Sequence, residues 1–176
     1  MRIKKVFEHA ITSELHSEIS TLRDKCFPED AVGRSYAKQL PHLRFLAFEG
    51  ETLIGHLGVD HRVISVGGSP YTIFGVIDVC VSENSRGSGI AGILLKEVTQ
   101  LAHSSGIDFC VLFAKDQRLY RSHGFSLLPV DVIWLRIHEH QNYGVGRERI
   151  ESEFMILQTG NRAWPVGEVD LLGYLF

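Results

Sequence analysis

Apolar residues recur at helical spacing in two stretches of the chain. The first stretch begins at Thr12 or Ser13, and its apolar face consists of Leu15, Ile19, Leu22 and Cys26. Pro28 follows this face, and a proline ends a helix because it lacks the N–H that the next turn needs. The second stretch places Ile90, Ile93, Leu94, Val98 and Leu101 on one face. This helix should end before Gly106, since glycine is typical of the position just past a helix end.

Seven short runs of the chain are rich in β-branched and aromatic residues. They cover residues 44–48, 52–60, 61–66, 71–81, 107–114, 132–137 and 154–157. Turn residues at 49–51 and 67–70 separate the early runs, which favours an antiparallel meander. Two short helices are predicted at residues 35–40 and 116–123, and a polar loop is predicted at residues 138–149.

The order of these elements predicts the fold class. A meander is followed by one strand–helix–strand crossover, which argues against a doubly wound fold built from repeated βα units. We therefore expect a single α/β (α+β) domain over residues 1–176. Its sheet should be mixed and mostly antiparallel, with about six or seven strands flanked by helices.

Composition and charge narrow the function classes. The chain has 176 residues, of which 44% are hydrophobic and 22% charged, and its formal net charge is −3. Since nucleic-acid binding needs clustered basic residues, we expect no nucleic-acid partner. No apolar stretch reaches the roughly 20 residues that span a bilayer, so no membrane partner is expected. The three cysteines form no C-x-x-C pair, and the N-terminal residues include no apolar signal segment. Both features predict a cytoplasmic protein.

A glycine turn lies between the run that ends at Val81 and the second long helix. Gly87, Gly89 and Gly92 fit the G-x-G-x-x-G pattern of dinucleotide-binding folds. That fold is disfavoured, because five residues separate Val81 from Gly87 and about half the chain precedes the turn. The turn still suits a phosphate, since glycines admit a ligand to the backbone and a helix start carries free N–H groups. The alternative is that the turn is only a tight strand-to-helix connection, with the Arg86 side chain in solvent.

Two segments resemble the GNAT N-acetyltransferase superfamily. Arg86-x-x-Gly89-x-Ala91 is similar to that family's acyl-CoA loop, (Gln/Arg)-x-x-Gly-x-(Gly/Ala). Leu119-Tyr120-x-x-x-Gly124-Phe125 is similar to the (Leu/Phe)-Tyr-x-x-x-Gly-Phe segment that follows the family's next strand. The resemblance covers roughly residues 1–137 and implies a fold in which two splayed strands receive coenzyme A.

The resemblance also implies how acetyl-CoA would bind. The pyrophosphate would lie on the turn formed by Arg86, Gly87, Ser88, Gly89, Ile90 and Ala91. The pantetheine arm would pair with the strand edge formed by Val79, Cys80 and Val81, as an added strand does. A backbone N–H of that strand would stabilise the thioester oxyanion. Coenzyme A is the expected product, and no metal is expected.

Two residues are candidates for catalysis. By position, Tyr120 matches the family's general acid, and the alternative is a packing aromatic on a short helix. Asp78 is the candidate general base, because burial among apolar neighbours raises the pKa of a carboxyl group toward a useful range. Many family members carry a glutamate where this chain has Ile77, so Asp78 could instead be a hydrogen-bonded structural residue.

The acceptor is expected to be a primary amine of a small molecule. The acidic and aromatic tail at residues 164–176 loosely resembles that of aminoglycoside 2′-N-acetyltransferases, which favours an aminoglycoside-like or other polyamine acceptor. A separate resemblance, through residues 33–68, is to nodulation N-acyltransferases, which leaves a longer acyl donor open. A non-catalytic acyl-CoA-binding regulatory module is the alternative from another class. An exposed sheet edge near the C-terminus would permit a homodimer.

Overall fold

Ten strands, three α-helices and three single-turn 3-10 helices make up the secondary structure of the chain. A computed structural model describes every residue from Met1 to Phe176. In chain order the elements are β1 (Arg2–Phe7), α1 (Ser13–Cys26), β2 (Leu43–Glu49), β3 (Thr52–Val66), β4 (Ser69–Val81), α2 (Ile90–Ser104), β5 (Phe109–Phe113), α3 (Arg118–Ser122), β6 (Ser126–Leu127), β7 (Val130–His138), β8 (Gln141–Ile150), β9 (Phe154–Gln158) and β10 (Val169–Tyr174). None of the helices has the length and apolarity needed to cross a membrane.

The two long helices begin and end where the sequence predicts. The Thr12 hydroxyl caps α1 by accepting a hydrogen bond from the Leu15 N–H at 3.3 Å. The α1 helix ends at Cys26, two residues before Pro28. The α2 helix ends at Ser104, before Gly106, whose φ of 68° lies in the left-handed region that favours glycine.

The chain forms two units, and β3, β4 and α2 each contribute residues to both. The first unit comprises Met1–Asp60 and Val76–Val98. Its strands are hydrogen-bonded in the order β1-β2-β3-β4, with β1 antiparallel to β2 and β2 antiparallel to β3. Its buried apolar cluster consists of Ile19, Leu22, Leu46, Phe48, Leu53 and Cys80.

The second unit comprises His61–Gly75 and Thr99–Phe176. Its strands follow the order β6-β9-β5-β4-β3-β10-β7-β8. The pairs β4/β5 and β10/β7 are parallel, whereas β5/β9 and β7/β8 are antiparallel, so the predicted mixed sheet is confirmed. Its buried cluster consists of Ile64, Val66, Tyr71, Ile73, Phe109, Val111, Val130, Val132, Phe154, Val169 and Leu171.

Three predictions of local structure are wrong. Residues 138–149 were expected to be a loop, but most of them belong to the exposed strand β8, which lacks an alternating apolar pattern. Residues 35–40 do not form a helix, since the Ser35 carbonyl accepts a hydrogen bond from Arg44. The runs 52–60 and 61–66 form one continuous strand, β3.

The strand count also exceeds the expected six or seven, because ten strands form. β1 and β6 escaped prediction because they are short or largely exposed. The tail contributes β10, which lies between β3 and β7 rather than at an edge, while β8 ends that strand order. The splay of β4 from β5 stays a prediction, as does a homodimer.

Candidate functional site

The glycine turn has an exposed backbone in a conformation that needs glycine. Gly87 and Gly89 have φ angles of 77° and 82°. A Cβ atom added at either position would meet nothing within 4 Å, so the left-handed φ and not crowding selects glycine there. The preceding Ser82 fixes the turn to β3, because its N–H donates to the Ile54 carbonyl at 2.9 Å.

The start of α2 presents donors to this turn. The first hydrogen bond that joins the turn to the helix runs from the Ile93 N–H to the Gly89 carbonyl at 3.1 Å. The N–H groups of Ile90, Ala91 and Gly92 therefore precede the helical ladder, at the positive end of the helix dipole. The exposed Arg86 adds a cation directly before the turn. These features fit the pyrophosphate of coenzyme A, since they provide donors, positive charge and open space.

Asp78 interrupts the regular strand geometry of β4. Its φ of 49° is left-handed, which is uncommon for a residue other than glycine. The Asp78 Oδ2 accepts a hydrogen bond from the Nε of Arg23 at 2.8 Å, and the Arg23 side chain is 3% exposed. The carboxylate that was the candidate general base is thus held in a partly buried ion pair. Its catalytic role stays a prediction. In the alternative, in which Asp78 is a hydrogen-bonded structural residue, Arg23 is its partner.

A chain of buried polar groups leads to the Asp78 backbone. Arg44 binds Glu8 through two hydrogen bonds of 2.7 and 2.8 Å, and its Nη1 lies 2.9 Å from the Nε2 of His56. The Nδ1 of His56 lies 3.0 Å from the Asp78 carbonyl oxygen. Because Arg44 can only donate, His56 Nε2 accepts and His56 Nδ1–H donates to Asp78.

The protonation of His56 supports this assignment. Complete burial, together with the nearby Arg44 charge, lowers the pKa of His56 to about 3. The ring is therefore neutral near pH 7, and its single N–H fixes the carbonyl of the left-handed Asp78. This hydrogen bond holds the residue that directly precedes the segment Val79, Cys80 and Val81.

Cys26 lies at the C-terminal end of α1, beside the turn. Its sulfur lies 3.4 Å from the Val81 carbonyl oxygen and 4.0 Å from Nη2 of Arg86. A hydrogen bond from Cys80 and the contact with Arg86 lower the pKa of Cys26 to about 6, against the opposing effect of burial. Cys26 also lines an open cavity of about 1270 Å³ between α1, the β2–β3 turn and residues 82–86.

A known protein family matches much of the chain, including the glycine turn. The family model of the acetyltransferase (GNAT) domain matches residues 9–128. The chain belongs to the GNAT acetyltransferase family. No curated protein matches the chain.

Solved structures share the GNAT fold with the chain. A GNAT family N-acetyltransferase (YhbS) from Escherichia coli, in complex with CoA, is 19% identical, with 97% of this chain and 88% of that chain covered and a TM-score of 0.64. A GNAT family acetyltransferase from Brucella melitensis, in complex with acetyl-CoA, is 20% identical, with coverages of 96% and 94% and a TM-score of 0.61.

One further GNAT structure is a longer protein. A GCN5-related N-acetyltransferase from Anabaena variabilis is 18% identical, with 75% of this chain covered and a TM-score of 0.58. The chain spans 34% of the length of that protein.

Tyr120, the residue that matches the GNAT general acid, lies on α3 in the second unit. Its carbonyl accepts hydrogen bonds from the N–H groups of His123 and Phe125, each at 3.0 Å. Its half-buried ring meets the Phe125 ring edge-on, with 6.1 Å between the centroids. These contacts explain why the segment turns at Gly124, whose φ is 87°. The role of Tyr120 as an acid stays a prediction.

The tail that resembles aminoglycoside acetyltransferases already has partners within the second unit. The guanidinium of Arg62 lies 4.3 Å from the Tyr174 ring centroid and 5.0 Å from that of Phe176. The Glu168 carboxylate lies 3.2 Å from Nε of Arg147. The aromatic and acidic groups expected to meet a cationic amine thus contact cations of the chain itself.

The buried polar residues of the first unit were not predicted from the sequence. Arg23, Arg44 and His56 are at most 2% exposed, and their partners lie far away along the chain. No local motif marks them, although a charged or histidine residue inside an apolar strand is a signal for a buried partner. No group of three or more His, Cys, Asp or Glu side chains is arranged to hold a metal ion.

Proposed function

We propose that the chain is an acetyl-CoA-dependent N-acetyltransferase that acts on a primary amine of a small molecule. The observation that carries the proposal is the glycine turn at the start of α2 in a chain of the GNAT family. Left-handed Gly87 and Gly89 leave the backbone open, and Arg86 supplies the adjacent charge. The fold neighbours crystallised with CoA and with acetyl-CoA support a ligand of this type.

Acetyl-CoA would supply the acetyl group as a thioester. The N–H groups at the start of α2 and Arg86 bind its pyrophosphate, and this contact fixes the position of the thioester along the strand. The edge of Val79, Cys80 and Val81 pairs with the amide groups of the pantetheine arm. A backbone N–H of this segment, which His56 orders through Asp78, stabilises negative charge on the acetyl oxygen.

Tyr120 is the proposed general acid. It donates its phenolic proton to the sulfur when the C–S bond breaks, and a base takes one proton from the amine nitrogen. This role comes from the motif that matches the GNAT family. The acceptor class rests on the weaker resemblance of the tail, and a polyamine or aminoglycoside-like molecule is the first to test.

Calorimetric titration with coenzyme A tests the binding part of the proposal. We expect micromolar binding by the wild type and affinity about tenfold lower for Arg86→Ala, as the loss of one charge-assisted contact predicts. Arg149→Ala is the matched control, because Arg149 is an exposed arginine that pairs with Asp131 and Glu151 in the second unit. No binding by the wild type would overturn the proposal.

An acetyl-transfer assay across a panel of amines, with release of the coenzyme A thiol as the readout, tests the reaction. Tyr120→Phe should lower kcat by about 100-fold or more, as loss of a general acid predicts, with coenzyme A affinity unchanged. Coenzyme A binding without turnover of any amine would favour the alternative, a non-catalytic acyl-CoA-binding module. Turnover only with longer acyl donors would assign an acyltransferase instead.

A further inference from the structure

An exposed imidazole in the first unit is held by a buried carboxylate. The Nδ1 of His42 lies 2.8 Å from Oδ1 of Asp60. The Asp60 side chain is 2% exposed, whereas that of His42 is 57% exposed. The ring therefore faces solvent while its partner is fixed inside the protein.

The backbone fixes the relative position of these two residues. The His42 N–H donates to the Val59 carbonyl at 2.9 Å, and Leu43 pairs with Val59 in the β2/β3 register. His42 thus sits directly before β2, beside the residue that precedes Asp60. Backbone hydrogen bonding to β3, the strand that carries Asp60, therefore sets the position of the imidazole relative to the carboxylate.

The hydrogen bond determines which nitrogen of His42 can act as a base. An ionised carboxylate only accepts, so the Nδ1 of His42 must carry a proton. In the neutral ring the Nε2 atom then holds a lone pair. A buried carboxylate also stabilises the imidazolium that forms when the ring takes up a proton. This is the arrangement that a general base requires.

The location of the pair matches the strand proposed to bind the thioester. Gly58 lies two residues before Asp60 on β3, so both residues face the same side of the strand. A Cβ atom on Gly58 would lie 2.8 Å from Ile77 and 3.5 Å from Pro41, the residue before His42. Ile77 itself lies two residues before Val79, where the pantetheine segment begins. The imidazole, its carboxylate and the Ile77 side chain therefore lie on one face of β3, close in sequence to the pantetheine segment.

Two other candidate bases of the first unit, Asp78 and His56, are engaged elsewhere. The Asp78 carboxylate accepts from the buried Arg23 at 2.8 Å. The Nε2 of His56 lies 2.9 Å from the Arg44 guanidinium and is fully buried. His42 combines an oriented ring with access from solvent, which neither of these groups offers.

We propose that His42 is the general base of the acetyl transfer and that Asp60 positions it. This inference rests on the proposed function. His42 Nε2 takes one proton from the amine nitrogen, and that nitrogen forms a bond to the acetyl carbon. The C–S bond breaks, and the sulfur takes the proton that Tyr120 gives. His42 then returns its proton to solvent and Tyr120 regains one from solvent, so the enzyme is restored and the products are an amide and coenzyme A.

Kinetics of His42→Ala test the proposal with the amine that the wild type turns over best. We expect kcat to fall about 100-fold or more, with an unchanged KM for acetyl-CoA, as loss of a general base predicts. Added imidazole should restore part of the lost rate, which a merely structural role would not allow. His138→Ala, which removes an exposed histidine of β7, is the matched control and should keep wild-type kcat. Unchanged kcat in His42→Ala would overturn the proposal.

Histidine side-chain ¹⁵N NMR provides a readout that needs no acceptor. When neutral, wild-type His42 should be the Nδ1–H tautomer, and Asp60→Asn should weaken that preference and lower kcat. An Nε2–H tautomer in the wild type would overturn this inference, whatever the enzyme assays show. If Asp60→Asn does not fold, His42→Ala still decides. A wild type that binds coenzyme A but acetylates no amine contradicts the proposed function, and this inference fails with it.

Discussion

The two units differ in what they bury. Five of the six buried polar or charged residues, Arg23, Ser35, Arg44, His56 and Asp60, belong to the first unit. The second unit contributes Thr159. Burying a charge costs free energy unless it is paired, so each of these residues in the first unit needs a defined partner. In the first unit, these buried polar residues lie in the region that must be well ordered for the proposed function.

The interior of the second unit is built from aromatic packing instead. Phe109 and Phe154 have ring centroids 4.9 and 5.7 Å from that of Trp164, in edge-to-face arrangements. Such contacts stabilise a fold without fixing a particular hydrogen-bonding atom. We conclude that polar burial fixes geometry in the first unit, whereas apolar burial mainly supplies stability in the second.

The largest expected effect is that of Arg44→Met in the first unit. Arg44 is 1% exposed and donates to both Glu8 oxygens, so its removal leaves a carboxylate that is 11% exposed without its partner. We expect the free energy of unfolding to fall by about 3–5 kcal/mol in urea denaturation. Arg149→Met, at an exposed ion pair of the second unit, should stay close to the wild type. Equal stability of both variants would contradict the comparison.

Acid should destabilise the protein through His56. The folded-state pKa of about 3 lies below the ordinary value of 6.5, so the unfolded chain binds the extra proton between these values. This contribution to stability is complete above pH 6.5 and is lost as pH falls toward 3. The slope that His56 adds is at most about 1.4 kcal/mol per pH unit.

Urea denaturation between pH 7 and pH 4 measures this slope. His56→Gln should be less stable than the wild type at pH 7 and should depend less on pH, since it lacks the titrating group. His138→Gln removes an exposed histidine instead and serves as the control with the wild-type slope. An unchanged slope in His56→Gln would show that the ring has the same pKa in the folded and unfolded chains, which would contradict the lowered pKa.

A smaller effect is expected for Thr159→Val, which removes the buried hydroxyl of the second unit. Thr159 Oγ1 donates to the Ile107 carbonyl at 2.8 Å. Loss of this neutral hydrogen bond should cost about 1 kcal/mol of unfolding free energy, measured in the same urea titrations. Coenzyme A affinity should not change. A loss as large as that of Arg44→Met would remove the distinction between the units.

Patterns along the chain predicted elements that bury one regular face. The α1 and α2 helices and the β3–β4 hairpin follow from periodic apolar positions and from the turn at Gly67 and Gly68, whose φ angles are 56° and 83°. β8 was missed because nearly all its residues are exposed, so no face is marked by apolar side chains.

The polar network could not be predicted because its contacts are distant in sequence. Arg23 and Asp78 are 55 positions apart, and Arg44 and Glu8 are 36 apart. The glycine turn, in contrast, was predicted in place, because its conformation depends on local residue types. Local residue types thus predict the glycine turn, whereas the residues that hold the adjacent strand depend on the tertiary fold.

The smallest expected effect concerns the reactivity of cysteines, and it compares one thiol from each unit. Cys26 has a pKa lowered to about 6, so it is mostly thiolate at pH 7, and thiolates are the reactive form. Burial raises the pKa of Cys110, in the second unit, to about 12. Iodoacetamide labelling followed by mass spectrometry should therefore modify Cys26 with a midpoint near pH 6 and leave Cys110 unmodified.

Two changes should slow this labelling for different reasons. Cys80→Ala removes the hydrogen bond that contributes most to the low pKa of Cys26, so the midpoint should move to higher pH. Bound coenzyme A should slow labelling at pH 7 if its pyrophosphate draws Arg86 away from the sulfur. Labelling of Cys26 with the midpoint of an ordinary thiol would contradict the proposed contacts of Cys26. Labelling that coenzyme A leaves unchanged would contradict the assignment of Arg86 to the pyrophosphate.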